Sequence, residues 1–155
     1  FKNKNKKEKG KTAPAIPKAV KSFLSDTSSF SPEWSGSILR MLPESVRGAY
    51  PLLREHLRIL SAGICIGEAK GKDFIPAEEL ALSTALRPDA FPVADLDWDD
   101  AIRYLKKEAL LLPAGTEKGY VLVRHKKFPL GFAKHLGNRA NIRTGYVPEQ
   151  VKTFE

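Results

Sequence analysis

The chain has 155 residues, of which 42% are hydrophobic and 28% are charged, a composition that is typical of folded globular proteins and excludes a disordered one. Its formal net charge of +8 favours a polyanionic partner, either a nucleic acid or a membrane surface. No apolar run approaches the ~18 residues of a membrane helix, and the single cysteine cannot form an internal disulfide, so we expect a cytoplasmic protein that does not enter the membrane.

The N-terminal segment is predicted to be a linker. Residues 1–11 contain six lysines and one glutamate, and the residues that follow are interrupted by prolines. Because residues 1–18 offer almost nothing to bury, we assign residues 1–27 to a linker rich in lysine and proline. A polybasic arm that contacts phosphates is a second interpretation, compatible with the first.

Residues 28–92 are predicted to form a small α+β domain. Ser37–Pro43 is a short apolar strand, and Leu57–Pro76 contains two further strands on either side of the turn KGK. The segment Pro76–Leu86 opens with a proline that suits the first position of a helix, so we predict a short helix there.

Residues 93–155 are predicted to form a second α+β unit. Its helix, DWDDAIRYLKKE, is expected to have Asp97 as its N-cap and to bury Ile102, Leu105 and Ala109. The alternating strands GYVLVRH and LGFAKHL, joined by the turn HKKFP, predict a β-hairpin that leads into a loop of glycine and asparagine.

The sequence lacks the parts of a known type of active site. GxGxxG and GxxxxGK[ST] are absent, so no cradle for a dinucleotide or triphosphate is indicated. His56, His125 and His135 lack a metal-ligand spacing and lie near basic residues, which favours surface or RNA-facing histidines. Cys65, in the apolar run GICIG, is interpreted as a buried structural thiol. Helix capping explains the acids of Asp95–Asp100 better than Mg²⁺ binding does. We therefore expect a non-catalytic chain that holds no metal.

The C-terminal hairpin carries a candidate RNA-binding surface. Between Tyr120 and Arg143 the chain has six cations and no acid, and Gly131 and Gly137 allow the backbone to approach a phosphate closely. Asparagine amides can bond to base edges or sugar hydroxyls. The candidate RNA contacts are Arg124, Lys126, Lys127, Lys134, His135, Asn138, Arg139, Asn141 and Arg143. Composition alone leaves open a solvated basic hairpin whose glycines and asparagines serve turn geometry.

A longer motif contains this hairpin. KGYVLVRHKKFPLGFAKHLGNRAN resembles the C-terminal end of bacterial RsmF-type RNA cytosine-C5-methyltransferases of the Nop2/Sun family, where the pattern belongs to a PUA-like RNA-binding domain. The upstream PLLREHLRILSAGICIGEAKGKDFIPAEELALS is similar to the intermediate domain of those enzymes. The resemblance extends from about Trp34 to Asn141. After Asn141 the chain departs from the family pattern, because it continues directly into IRTGYVPEQ, and this weakens the assignment of Asn141 and Arg143.

The resemblance implies a fold and a function. The implied fold is α+β in two small modules, the C-terminal one (residues 93–155) being a PUA-like antiparallel β pseudo-barrel with a flanking helix. In the family, a catalytic domain that binds S-adenosylmethionine and carries two essential cysteines precedes this region. Neither cysteine motif is present, so we expect a monomeric C-terminal fragment that positions ribosomal RNA and holds no cofactor itself. A protein-interaction module with an incidental basic face, or part of a tRNA-modifying enzyme, is the alternative.

Overall fold

The computed structural model describes residues 16–137 and 139–142, with the backbone alone described at Ala19, Asn141 and Ile142. Five short helices and eight strands confirm the predicted α+β class. The helices are α1 (Lys18–Lys21), α2 (Glu44–Arg47), α3 (Tyr50–His56), α4 (Glu78–Ala81) and α5 (Trp98–Leu105). The strands are β1 (Phe30–Ser35), β2 (Ile38–Pro43), β3 (Ile64–Lys70), β4 (Asp73–Pro76), β5 (Val93–Asp95), β6 (Gly119–His125), β7 (Phe128–His135) and β8 (Ala140–Ile142). No helix of the described residues is long and apolar enough to cross a membrane.

The first sheet contains β1 to β4 in sequence order, and every neighbouring pair is antiparallel. The structure confirms three strands between residues 37 and 76, although the second begins at Ile64 and not at Leu57, and it adds β1 at the edge. Pro32 is tolerated in β1 because an edge strand has backbone N–H groups that need no ladder partner. The predicted helix over Pro76–Leu86 is shorter than expected. Pro76 ends β4, and only Glu78–Ala81 is helical.

The second sheet has the order β5-β6-β7-β8. The predicted hairpin is confirmed as β6 and β7, with His125 opposite Phe128 and a two-residue turn between them. Lys126 and Lys127 both have positive φ, 48° and 72°, as a turn that follows the right-handed twist of a hairpin requires. The predicted loop of glycine and asparagine ends in a strand, β8, and β5 runs parallel to β6. The described strands form two open sheets and no closed barrel.

The hairpin β6–β7 is covered on both faces. One of its faces packs against the first sheet and so joins the two sheets. Leu122 and Phe132 point into a hydrophobic cluster that also contains Leu39 of the first sheet. Val123 and Ala133, on the opposite face, pack in a second cluster. Strand β6 is therefore buried on both sides at its centre, and this explains why its middle reads VLV without a polar residue.

Helix α5 begins as predicted and buries a different stripe. The Asp97 side chain accepts a hydrogen bond of 2.9 Å from the backbone N–H of Asp100 and so caps the helix. The buried residues are Ala101 and Tyr104, whereas Ala109 is exposed beyond the end of the helix. The helix stops at Leu105, and Lys107 has a φ of 64°, so the 3.6-residue period does not continue to position 109.

The predicted linker is packed in its last part. Val20 and Leu24 are buried in the same cluster as Leu39, and Leu24 forms an antiparallel bridge with Leu86. The assignment to a linker did not anticipate this packing, in which two apolar side chains four residues apart outweigh the lysines around them. Residues 1–15 lie outside the described residues, and the boundaries at 27 and 92 remain predictions.

Candidate nucleic-acid interface

The hairpin separates the predicted RNA contacts into two groups. Strand β7 has eight residues, and at about 3.3 Å per residue its two ends lie about 23 Å apart. We call the end that contains the Lys126–Lys127 turn the turn end. The opposite end, where β6 begins and β7 finishes, is the open end. The turn end has Arg124, Lys126 and Lys127, and the open end has Lys134, His135, Arg139 and Asn141. Asn138 and Arg143 lie outside the described residues.

At the turn end, Arg124 is held in an ion pair. Its Nε and Nη2 atoms donate to the two carboxylate oxygens of Asp95 at 2.5 Å and 2.8 Å, in a fork that matches the carboxylate. The hydrogen bonds from Arg124 hold the pKa of Asp95 below its ordinary value, and those to Asp95 raise the pKa of Arg124. Arg124 therefore connects β6 to β5, and its charge is already paired with a carboxylate of the protein.

Aromatic side chains lie on either side of the turn in sequence, at His125 and Phe128. The ring of His125 meets the edge of Trp98 with 5.9 Å between centroids, and its Nδ1–H donates to the carbonyl oxygen of Leu96 at 2.9 Å. Lys126 and Lys127 are exposed, and so is Phe128. The acids of Asp95–Asp100 belong to the segment that packs against this end. Arg124, Lys126, Lys127 and, in α5, Arg103, which pairs with Asp100, therefore lie beside four carboxylates, and the turn end is not strongly basic.

At the open end, Lys134 lies between two neighbouring strands. It is directly opposite Tyr120 on β6 and opposite Asn141 on β8. Its Nζ atom is 5.5 Å from the centroid of the Tyr120 ring, a cation–π distance. Arg139 is exposed, and among the described residues no carboxylate lies within ion-pairing distance of Arg139 or Lys134.

Lys118 is an open-end residue that the sequence interpretation missed. A Cβ atom placed on Gly137 would lie 2.7 Å from Cε of Lys118, so the lysine stem crosses the space that glycine leaves free. Gly137 has a φ of 107°, which glycine adopts readily. Lys118 directly precedes β6 and is the first residue of the motif KGYVLVRHKKFPLGFAKHLGNRAN. It was missed because the segment without acids was taken to begin at Tyr120, two residues later. Extending that segment by those two residues would have found it.

His135 is buried, which overturns the predicted RNA-facing histidine. Its exposed fraction is 8%, and its Nδ1–H donates to the carbonyl oxygen of Glu117 at 3.1 Å. Strand alternation places His135 on the same face as Ala133, toward the second cluster. His56, at the end of α3, is exposed as predicted, and His125 is half-buried.

Gly131 serves packing and is not available to a phosphate. A Cβ atom at this position would lie 2.2 Å from Oη of Tyr104, and the φ of Gly131 is 149°. The Tyr104 hydroxyl donates to the carbonyl oxygen of Phe132 at 3.1 Å, and burial raises the pKa of Tyr104. The absence of a side chain at position 131 thus lets α5 lie close to β7.

The described residues offer no arrangement for a metal and no activated thiol. No group of three or more histidine, cysteine, aspartate or glutamate side chains among them could hold a metal ion. Cys65 is half-buried, less than was predicted, and burial raises the pKa of its thiol. A raised pKa lowers the thiolate fraction, so the environment of Cys65 does not favour a nucleophile.

The comparisons with known proteins bear on the second sheet. None of the curated proteins matches the chain. Residues 91–141 match a family model described as the Methyltransferase RsmF PUA domain. The matched range contains α5, β5, β6 and β7 and reaches into β8, so both ends of the hairpin lie inside it. This third of the chain is therefore similar to the PUA domain of an RsmF-type methyltransferase.

Proposed function

We propose that this chain is the RNA-binding, substrate-positioning C-terminal part of an S-adenosylmethionine-dependent methyltransferase that modifies cytosine C5 in ribosomal RNA. The observation that supports it most is the match of residues 91–141 to the RsmF PUA domain. In this proposal S-adenosylmethionine binds to a separate catalytic domain. The described residues contain no glycine-rich nucleotide cradle, and we assign them no step of the methyl transfer.

The charge balance favours the open end as the place where RNA binds. Lys118, Lys134 and Arg139 form no ion pair with a carboxylate of the described residues, and Glu117 directly precedes Lys118 in the sequence. Asp89, across a groove from Glu117, is already paired with Arg87 at 2.7 Å. Phosphates are attracted by an excess of positive charge, and their neutralisation releases counterions. The turn end has no such excess, since its three cations and Arg103 of α5 lie beside four carboxylates.

The open end also has its cations held in place. Lys134 rests over the ring of Tyr120, and the stem of Lys118 crosses Gly137. A side chain that is already ordered loses less conformational entropy when it binds a phosphate. Contacts of this kind position RNA without reading its sequence. A domain that holds RNA in this way raises the effective concentration of the substrate at a linked catalytic domain.

A pair of charge reversals tests this placement. The variant Lys134→Glu/Arg139→Glu changes the open end, and Lys126→Glu/Lys127→Glu makes the same charge change at the turn end. We expect the first to weaken binding of a fluorescent ribosomal RNA fragment at least tenfold, and the second less than threefold. Anisotropy titrations over a series of KCl concentrations should show the slope of log K against log salt falling by about 1.4 for the open-end variant, about 0.7 for each cation removed.

The outcomes separate the possibilities. Equal losses in both variants would mean that the whole hairpin contacts RNA, and no loss in either would reject the hairpin as an RNA surface. Melting temperatures of both variants must stay close to that of the wild type for the comparison to count. Competition between ribosomal RNA and tRNA distinguishes the proposed parent enzyme from a tRNA-modifying one.

One observation supports a second function, that of a protein-interaction module. Helix α3 buries no residue, and Leu52, Leu57 and Leu60 in and after it are 60%, 61% and 85% exposed. A partner held by these apolar side chains would bind with a weak dependence on salt, and neither charge reversal would change its affinity.

A further inference from the structure

Two large aromatic side chains are exposed at the turn end of the hairpin. Trp98, the first residue of α5, is 56% exposed, and Phe128, the first residue of β7, is 74% exposed. His125 connects them, because its ring makes a T-shaped contact with that of Trp98 and the residue lies directly opposite Phe128 across the two strands. Side chains of directly opposed residues lie on the same face of a sheet. We call Trp98, His125 and Phe128 the aromatic cluster.

The backbone that carries Trp98 is fixed against β6. Asp95 pairs with Arg124 through two hydrogen bonds, and the backbone N–H of Leu96 donates to the carbonyl oxygen of Arg124 at 2.8 Å. The carbonyl oxygen of Leu96 in turn accepts the hydrogen bond from Nδ1–H of His125. Trp98 follows this anchored segment at once. A ligand that stacks on its ring therefore has little backbone to order on binding.

The charges around the aromatic cluster nearly cancel. Two of the four carboxylates of Asp95–Asp100 are paired with arginines, and the other two are matched in number by Lys126 and Lys127. An RNA strand is therefore neither repelled from this end nor strongly attracted to it through its phosphates. Stacking of bases on aromatic rings needs no excess of positive charge.

The kind of apolar surface favours bases over a protein partner. The exposed apolar side chains around α3, Leu52, Leu57 and Leu60, are aliphatic, whereas the two at the turn end are aromatic. Every nucleic-acid base has a flat π face that stacks on such a ring, and unpaired RNA bases are commonly held in this way. The residues that match the RsmF PUA domain include the whole aromatic cluster.

We propose that the aromatic cluster stacks unpaired bases of the RNA whose phosphates bind at the open end. The proposal rests on the proposed RNA binding, and it adds a contact about 23 Å from the first that depends on base faces and not on charge. It also gives the hairpin a preference for single-stranded RNA, because the bases of a duplex already stack on one another and cannot reach a ring.

Removal of one ring tests the stacking. Trp98→Ala deletes the exposed indole and leaves a residue that favours the helix. Anisotropy titrations with a fluorescent oligouridine of about ten nucleotides should show at least about fivefold weaker binding, the lower end of the loss per stacked base. The slope of log K against log salt should stay unchanged, whereas Lys134→Glu/Arg139→Glu should lower it. Trp98→Phe should restore most of the affinity. Leu52→Ala, which removes a similarly exposed aliphatic side chain on α3, is the matched control and should bind like the wild type.

Tryptophan fluorescence supplies a readout that does not depend on affinity. The chain has two tryptophans, so in a Trp34→Phe background the emission comes from Trp98. Saturating oligouridine should quench this emission. A strand of equal length with abasic sugars keeps the phosphates and lacks the bases, and it should leave the emission unchanged. Quenching by the abasic strand would mean that phosphates and not bases reach this end, and it would overturn the stacking.

The remaining outcomes separate this proposal from the proposed function. If Trp98→Ala keeps the affinity and oligouridine does not quench Trp98, the aromatic cluster is left to a protein partner and the stacking is overturned. The proposed function still stands in that case when Lys134→Glu/Arg139→Glu weakens RNA binding. If the wild type binds the ribosomal RNA fragment and no oligouridine, the stacking alone is rejected. If it binds neither RNA, both proposals fail.

Discussion

The contact between Gly131 and Tyr104 gives a quantitative test of how α5 is seated on the hairpin. In Gly131→Ala the new methyl group would start 2.2 Å from Oη of Tyr104, so the hydroxyl must leave its bond to the Phe132 carbonyl. Losing that bond costs about 1 kcal/mol. A non-glycine residue at a φ of 149° adds about 1–3 kcal/mol of backbone strain. We therefore expect the free energy of unfolding to fall by about 2–4 kcal/mol.

A double-mutant cycle separates the two costs. Tyr104→Phe removes Oη, after which the nearest ring atom to the new methyl group is Cζ at 3.3 Å, a contact that a small shift relieves. In this background Gly131→Ala should cost only the backbone strain. Gly115→Ala is the matched control, because Gly115 has a φ of 88° and a Cβ atom there would meet nothing within 4 Å. It should cost about 1–3 kcal/mol from strain alone.

Urea unfolding followed by circular dichroism measures all four chains of the cycle and the control. The coupling between the two substitutions should be about 1 kcal/mol, above the ~0.5 kcal/mol that independent sites show. The reasoning is refuted if Gly131→Ala costs no more than Gly115→Ala, or if the two substitutions of the cycle are additive. Either result would mean that Tyr104 does not occupy the space above Gly131.

Two further predictions concern titrating groups. Asp26 accepts hydrogen bonds from the side chains of Ser29 and Ser28. These bonds, that from Ser29 having the largest effect, lower the pKa of Asp26 from 3.8 to about 2. The ionised Asp26 therefore stabilises the fold above pH 3.8, and this stabilisation is lost as the pH falls toward 2. Thermal melts should therefore show Asp26→Asn less stable than the wild type at pH 6, with the difference vanishing near pH 2; a constant difference would contradict the assignment. Burial raises the pKa of Cys65, so its alkylation by iodoacetamide at pH 8, followed by mass spectrometry, should be slower in the folded chain than in urea, and equal rates would show that the thiol is not shielded.

The strands were predictable because their signals are local. Alternation, turn residues and β-branched side chains lie within a few neighbours along the chain, and β2, β3, β4, β6 and β7 follow from them. The ends of helices depend on tertiary contacts. The packed part of the predicted linker is an example, because Val20 and Leu24 become core residues only when Leu39 and Leu86 are brought beside them.

The candidate site was predictable as a list of cations and not as a surface. A window of sequence without acids suggests a continuous basic face, but a hairpin sends its turn and its open end in opposite directions. Strand alternation also turns His135 toward the core, where it bonds to the carbonyl of Glu117. The partner of that histidine lies 18 residues away, and no local pattern indicates it.

The parallel strand β5 explains why the two ends of the hairpin differ in charge. It pairs with β6 only from Leu122 to Arg124, and its last residue, Asp95, lies directly opposite Arg124. The acids that begin α5 follow at once, so they come to the turn end and not to the open end. The first residues of β6 have no β5 partner, and Lys118 and Lys134 stay free of this acidic segment. A topology in which β5 ran antiparallel would reverse the gradient, so the direction of one three-residue strand decides which end of the hairpin attracts a phosphate.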